Sequence, residues 1–250
     1  VALGAAGFAI AFRLSGHHAS DWLFGPGDLL AVFRRQPWWA RLLLPPMAGL
    51  LAWGVLRLSA RLGTSASVGE VMEAIAAGGG KMSAPATGLK AFAAWLAIGG
   101  GASIGREGPL IQFGGALGSS TSRLFRLDAR QHRALVAAGT AAGFAAAYNT
   151  PLAAMLFMAE VVVGVVSLDV LVPAGIATVL ATALTRAFIG DGPLYGLKTF
   201  TLVTHAELLG YAVLGVAAGL LGVGFMRLLE RGELLATRTK WPLLVRILVG

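Results

Sequence analysis

The stretch from Gly105 to Pro109 reads Gly-Arg-Glu-Gly-Pro and places two ionisable side chains inside a long apolar run. An ionisable side chain at membrane depth costs about 3 kcal/mol or more, so the pair needs a reason. The glycines and the proline predict a broken helix, with one segment ending near Gly101 and the next beginning near Glu107. A helix that begins inside a membrane offers free N–H groups and a positive dipole end, which favour an anion. A carboxylate there can take the place of that anion, which is one way to build a gate.

The composition predicts a polytopic membrane protein with no soluble domain in view. Of the 250 residues, 56% are hydrophobic and 13% are charged, and the mean hydropathy is +0.75. The net charge of +8 would suggest nucleic acid in a soluble chain. Here the basic residues cluster between apolar runs, as in loops on the cytoplasmic side of a membrane. We therefore expect no nucleic-acid partner, and the absence of cysteine excludes disulfides and thiolate chemistry.

Both ends of the chain lie inside apolar segments. The first residue is Val1, at the start of an apolar run, and Trp241–Gly250 has the pattern of a helix that is only beginning. We therefore expect these residues to be part of a longer protein.

The apolar runs that must position the charged pair are short, and several are interrupted. Only some reach the ~20 residues that a full span needs. The runs are Val1–Phe12, Leu42–Val55, Ala91–Ile104, Glu107–Ser122, Ala134–Ala159, Val170–Thr185 and Leu208–Met226, the last being the cleanest. Asn149-Thr150-Pro151 interrupts the fifth run and predicts separate helices over 130–148 and 151–164. Short segments interrupted by glycine and proline are a pointer to a transport site.

Glycines recur at four-residue spacing in these runs, for example Gly114/Gly118, Gly139/Gly143 and Gly215/Gly219. Small residues at this spacing let helices approach closely in lipid, so we interpret most of them as packing positions. Basic clusters at Arg57/Arg61, Arg123–Arg133 and Arg227–Lys240 are expected on the cytoplasmic side. Arg34 and Arg35 conflict with a simple alternation of sides.

Two long motifs together resemble a known family. Gly105–Pro109 is followed by Gln112 and Gly114-Gly115, and the stretch Gly139–Ala153 reads GTAAGFAAAYNTPLA. The first resembles the signature of CLC chloride channels and chloride/proton antiporters. The second is similar to the family's Gly- and Ala-rich helix, its Asn-x-Pro break and the short helix that follows. The match runs from about residue 40 to 165, and more loosely to both ends.

The resemblance implies an all-α membrane homodimer with one pore per subunit, built from two inverted repeats of tilted, broken helices. Residues 1–205 would form the first repeat and residues 206–250 the start of the second, with Glu207–Thr239 as its first helix. The rest of the second repeat, which in the family supplies another helix N-terminus and a tyrosine hydroxyl to the anion site, is missing. We expect chloride as the substrate, no cofactor, and a place in the cell inner membrane.

The resemblance makes Glu107 the gating glutamate, whose carboxylate competes with chloride and swings aside when protonated. The anion-binding residues would be Gly105, Arg106, Glu107, Gly108 and Pro109. The alternative is a structural Arg106–Glu107 pair, which is weakened because adjacent helical residues do not face each other. Arg106 either raises the local potential for anions or binds carbonyl groups freed by the broken helices.

The loop Thr64–Glu70 lies where the family carries a Gly-Ser-Gly-Ile-Pro chloride loop, and it departs from that pattern. Aligned through Glu70, Ala66 takes the place of the family's serine and Gly69 that of its proline. Ser65 or Ser67 is then the candidate hydroxyl, and Ala66 leaves backbone donors, so weaker or altered anion preference, including nitrate or fluoride, is an alternative. Ser67 with Glu70 also fits a capping box, which is compatible with a nearby anion.

Glu160 lies near the position of the family's proton-transfer glutamate but one residue too early, since Val161 occupies that position. Either Glu160 transfers protons, or protons take another path, or the protein conducts anions passively. Glu160 as a structural or subunit-contact carboxylate is the simpler interpretation.

Gly101–Gly105 reads G-x-S-x-G and raises a remote alternative, an intramembrane serine protease with Ser103 as nucleophile. A histidine base is required, and His17, His18, His132 and His205 all lie outside the apolar spans. The sequence therefore predicts an anion transport protein rather than an enzyme, either a proton-coupled antiporter or a passive channel.

Overall fold

The computed structural model describes residues 1–27, 29–60, 68–76, 82–102, 104–164, 166–190, 204 and 207–238, and within them the regular structure is helical, with no strand. The elements are α1 (Ala2–Phe24), α2 (Leu29–Arg35), α3 (Trp38–Ala60), α4 (Val68–Ala76), α5 (Ala84–Gly99), α6 (Glu107–Leu124), α7 (Ala129–Tyr148), α8 (Pro151–Phe157), a π-helix (Met158–Val163), α9 (Leu168–Ile189) and α10 (Glu207–Arg238). The predicted all-α class is confirmed. The chain divides into two compact units, Val1–Leu194 and Tyr195–Gly250.

Among the described helices, three are long and apolar enough to cross a membrane. They are Trp38–Ala60, Leu168–Ile189 and the Glu207–Gly232 part of α10. The α10 segment has the highest mean hydropathy of the three, 2.0. This agrees with the prediction that the run 208–226 is the cleanest span.

Two helices in the first unit extend beyond the apolar runs, because a glycine or a capping serine sets their ends and a charged residue does not. Helix α1 continues past Phe12 and Arg13 and stops where Gly25 adopts a φ of 90°. Helix α5 begins at Ala84, after Ser83 accepts a hydrogen bond from the Ala86 N–H, and so includes the buried Lys90. Both helices therefore extend beyond the charge-poor runs, at the ends that carry Arg13 and Lys90.

Two predicted helix breaks are present. Helix α5 ends at Gly99 and α6 begins at Glu107, which confirms the break around the charged pair. Helix α7 ends at Tyr148 and α8 begins at Pro151, which confirms the split at Asn149-Thr150-Pro151. At the opposite end, α7 starts with a capping box in which Asp128 accepts from the Gln131 N–H and Gln131 accepts from the Asp128 N–H.

Helices α6 and α7 touch through their backbones at glycine. A Cβ atom added to Gly114 would fall within 3.0 Å of the Gly139 carbonyl, and one added to Gly139 would meet the Gly114 carbonyl equally closely. A Cβ on Gly143 would collide with the carbonyl of Leu110 in the same way. The packing interpretation of these glycines is confirmed.

The packing interpretation of the Gly215/Gly219 pair on α10 stays a prediction. In the described part of the chain, a Cβ on Gly215 or Gly219 would meet nothing within 4 Å.

Helix α7 is the centre of the first unit. It packs against α6, α9, α1, α8 and α4. Its middle is an almost unbroken buried stretch of alanine, glycine, valine and threonine from Val136 to Gly143, continued by Ala145–Ala147. Small side chains on α7 let the helices around it approach closely, so the positions of its two ends are well determined.

We expect Gly143→Ala to destabilise the protein by about 1–3 kcal/mol, because its new methyl group would overlap the Leu110 carbonyl. The measurement is unfolding of the detergent-solubilised full-length protein. Gly7→Ala on α1 is the control, since a Cβ on Gly7 meets nothing within 4 Å in the described chain. Equal stability of the two variants would contradict the proposed backbone contact.

Candidate functional site

The backbone before α6 is bent by two glycines. Gly101 has a φ of +94° and Gly105 a φ of +70°, a region that other residues adopt only with strain. Arg106 then caps α6 without a side-chain hydrogen bond. The N–H groups of Arg106, Glu107 and Gly108 therefore have no capping side chain, and Pro109 has no N–H to offer.

Glu107 is the first residue of α6, and its carboxylate folds back over the preceding backbone. A Cβ on Gly105 would collide with Glu107 Oε2, so only glycine leaves room for the carboxylate in this place. The hydroxyl of Tyr148 donates a hydrogen bond to Glu107 Oε1. The carboxylate is half-buried and has a neutral donor as its partner.

Tyr148 lies at a helix end whose neighbouring residues contact α8 and α9. It is the last residue of α7, and Asn149 ends the helix in the left-handed conformation, with φ 61° and ψ 32°. Arg186 on α9 donates from Nε to Asn149 Oδ1 at 2.7 Å. The Tyr148 ring packs on Phe144 with 5.0 Å between centroids, and Phe144 stacks on Phe157 of α8 at 4.6 Å.

Arg106 is half-buried, and within the described residues its side chain makes no hydrogen bond or ion pair. Arg13 on α1 lies close enough for the two positive charges to interact. The interpretation that Arg106 binds carbonyl groups freed by the broken helices therefore has no supporting hydrogen bond among the described residues. The pair of positive charges is the arrangement expected of a region that raises the potential for an anion.

The sequence model of the family described as "Voltage gated chloride channel" matches residues 47–250, which is most of this chain. The chain belongs to the voltage-gated chloride channel family. A putative chloride channel protein ClcB-like from Ralstonia nicotianae is 37% identical over 96% of the chain and 57% of its own length. A voltage-gated ClC-type chloride channel ClcB from Yersinia pseudotuberculosis is 32% identical over 80% of the chain and 49% of its own length. The resemblance to the CLC family is confirmed.

A solved structure shares the fold. The structure of a slow cyanobacterial Cl−/H+ antiporter superposes on this chain with a TM-score of 0.76 at 24% identity. The superposition covers 99% of this chain and 58% of the antiporter chain. The chain thus spans about half the length of the relatives it matches. The family and the apolar helices make this a membrane protein.

Three of the eight predicted anion-binding residues lie outside the described residues. They are Ser65, Ala66 and Ser67, and of the loop Thr64–Glu70 only the backbone that starts α4 at Val68 is described. The anion-binding role of that loop and its capping box therefore stay predictions.

Glu160 lies on the π-helix after α8, exposed, with Val161 also exposed beside it. Among the described residues it has no hydrogen bond or ion pair. A π-helix is rare and is often found at functional sites, which keeps Glu160 of interest. Its role in proton transfer stays a prediction.

The structure brings His132, one of the four histidines considered as a base, next to Ser122, which is not the serine considered as nucleophile. Ser103 lies outside the described residues, whereas His132 is buried in the first turns of α7, 2.5 Å from Ser122 through Nδ1 and Oγ. His132 thus lies on a helix and is buried, which the basic residues around it in the sequence did not indicate. The pair is buried at the end of α6 and α7 opposite to Glu107, so a substrate has no access to it.

Sequence reasoning missed Tyr148, Asn149 and Arg186 as parts of the site. The available signal was local: Tyr148 is the aromatic residue directly before the Asn-Thr-Pro break, at a helix end. Its partner is 41 residues away, and the partner of Asn149 is 37 residues away, so neither contact has a local signature.

Asn149→Ala should lower the free energy of unfolding by about 2 kcal/mol, since a left-handed alanine costs about 1–2 kcal/mol and a lost hydrogen bond about 1 kcal/mol. Asn149→Gly tolerates the left-handed conformation and loses only the bond to Arg186, so we expect about half that effect. Both are measured by unfolding the solubilised full-length protein in SDS. Equal losses in the two variants would show that the left-handed cap contributes nothing.

Proposed function

We propose that the protein carries chloride across the membrane through a pore that the Glu107 carboxylate closes. The observation that carries this proposal is the position of that carboxylate. It folds over Gly105 directly before the free N-terminus of α6, and its partner there is a phenol rather than a cation. A negative charge in this place is stabilised by the same helix end that would stabilise an anion.

Chloride is suited to this place because it needs donors that replace part of its hydration shell without binding it too tightly. Main-chain N–H groups at the start of α6 supply such donors, and the positive charges of Arg106 and Arg13 add attraction over a longer range. The relatives named as chloride channels support the same ion.

The gate works by competition. Ionised Glu107 occupies the position before α6 and excludes chloride from it. Protonation removes the negative charge, and with it the attraction to the helix end, so the side chain can leave and chloride can enter. Further donors would come from the loop around Ser65–Ser67 and from residues beyond this chain.

The proposal includes a homodimer located in the cell inner membrane. The matched relatives come from bacteria, which supports the inner membrane. Helices α8 and α9 leave large apolar side chains exposed, and lipid or a second subunit of a homodimer would cover them; they include Leu152, Leu156, Ile176 and Leu180.

Coupling to protons is the second candidate function. The fold neighbour is named a Cl−/H+ antiporter, whereas the relatives are named channels, so the names agree on chloride and differ on protons. Glu160 on the π-helix is the candidate second proton carrier. The protease alternative has no support left, because the chloride channel family is a family of transport proteins.

We expect Glu107→Gln to abolish the pH dependence of chloride flux, because glutamine mimics the protonated side chain at every pH. Wild-type flux from liposomes that contain the full-length protein should fall several-fold from acidic to neutral pH. The variant should keep the acidic value at both. Glu230→Gln on the exposed face of α10 is the control and should behave as wild type. A Glu107→Gln profile identical to wild type would refute the gate.

We expect Glu160→Gln to leave chloride flux at the wild-type level, because Glu160 is exposed and makes no hydrogen bond or ion pair with a residue of the gate in the described chain. The same liposomes under a chloride gradient report proton movement. Uphill proton movement in wild type that disappears in Glu160→Gln would assign Glu160 to antiport. No uphill movement in wild type would establish passive conduction.

A further inference from the structure

The contact between Tyr148 and Glu107 joins the last residue of α7 to the first residue of α6. We propose that the Tyr148 hydroxyl is a latch that holds the ionised gate closed, an inference that rests on the gating role proposed for Glu107. Tyr148 is then a positioning residue: it sets how readily the carboxylate leaves its place.

The latch is a property of one atom, the phenol oxygen. It donates directly to Oε1, and a hydrogen bond to a charged acceptor is stronger than one between neutral groups. Phenylalanine at this position would keep the ring contact with Phe144 at 5.0 Å and remove the hydroxyl. The hydroxyl can therefore be tested apart from the packing of the ring.

We expect the tyrosine to stay in place when the gate opens. Its backbone is fixed by the left-handed cap at Asn149 and by the bond from Arg186, and its ring is half-buried beside Phe144. Departure of the carboxylate must therefore break the hydrogen bond. The bond opposes opening, whereas it adds nothing to the open state.

Gly105 closes the other side of the carboxylate. A Cβ atom on Gly105 would collide with Oε2, while Oε1 accepts a hydrogen bond from Tyr148. The two oxygens are thus located by two different contacts, which select one position for the carboxylate. A neutral donor keeps this position stable without the strong attraction of a buried cation, which would make opening rare.

The experiment is a double-mutant cycle of Tyr148→Phe and Glu107→Gln in the full-length protein, read as chloride flux from liposomes at neutral pH. Tyr148→Phe should raise flux about tenfold or more, because the lost hydrogen bond to the charged carboxylate no longer favours the closed state. Glu107→Gln should raise it as well. The double variant should match Glu107→Gln alone, since the latch has no ionised carboxylate left to hold.

The matched control is Tyr211→Phe on α10, which removes a phenol from an exposed position and should leave flux unchanged. Wild-type flux in Tyr148→Phe with raised flux in Glu107→Gln would overturn the latch and leave the gate intact. Additive effects in the double variant would also overturn it, because they would indicate a general loosening of packing. Flux in Glu107→Gln that stays at wild type would overturn the gate and the latch together.

A second variant covers the case in which Tyr148→Phe does not fold. Site-specific 3-fluorotyrosine at position 148 is nearly the same size and is a stronger hydrogen-bond donor, so it should lower flux at neutral pH in the Glu107 protein. In the Glu107→Gln background it should have no effect. Unchanged or raised flux in the Glu107 protein would overturn the latch.

Discussion

The close backbone contact between α6 and α7 is the constraint on which the arrangement of the site depends. Gly143 of α7 lies against the carbonyl of Leu110, and these residues are five positions from Tyr148 and three positions from Glu107 respectively. The two helices run antiparallel from a capped turn at Asp128, so the start of one and the end of the other meet at the same end. A larger residue at the glycine contacts would separate the helices, and the phenol would no longer reach the carboxylate.

The second requirement is that both helices stop where they do. A membrane tolerates non-helical backbone only where protein or water satisfies its polar groups. Positive φ angles at Gly101 and Gly105 turn the chain into α6, and the left-handed Asn149 turns it out of α7. These breaks expose N–H groups at the start of α6. At the end of α7, Arg186 donates a hydrogen bond to the side chain of Asn149.

The breaks were readable in the sequence, whereas the contacts across them were not. Glycine and proline have local conformational effects, so the break before Glu107 and the split at Pro151 followed from residue types alone. The extent of α1 past Arg13 did not, because a charge in a helix lowers its hydropathy without ending it. The Tyr148–Glu107 bond depends on the register of two helices over 41 residues, which the glycine spacing permits but does not determine. Burial of His132 likewise required knowing that Ser122 packs across from it.

The choice of partner for the carboxylate explains why a charged pair can sit in this position at all. Arg106 is adjacent in sequence, but a neighbour on a helix points elsewhere, and the described contacts give Glu107 a tyrosine instead. A buried ion pair resists separation because breaking it leaves an uncompensated charge. A carboxylate bonded to a phenol beside a helix end is stable while ionised and loses its advantage once protonated. In the proposed gate, the neighbouring arginine would act on the anion that replaces the carboxylate, which is the combination that a gate responsive to both protons and anions requires.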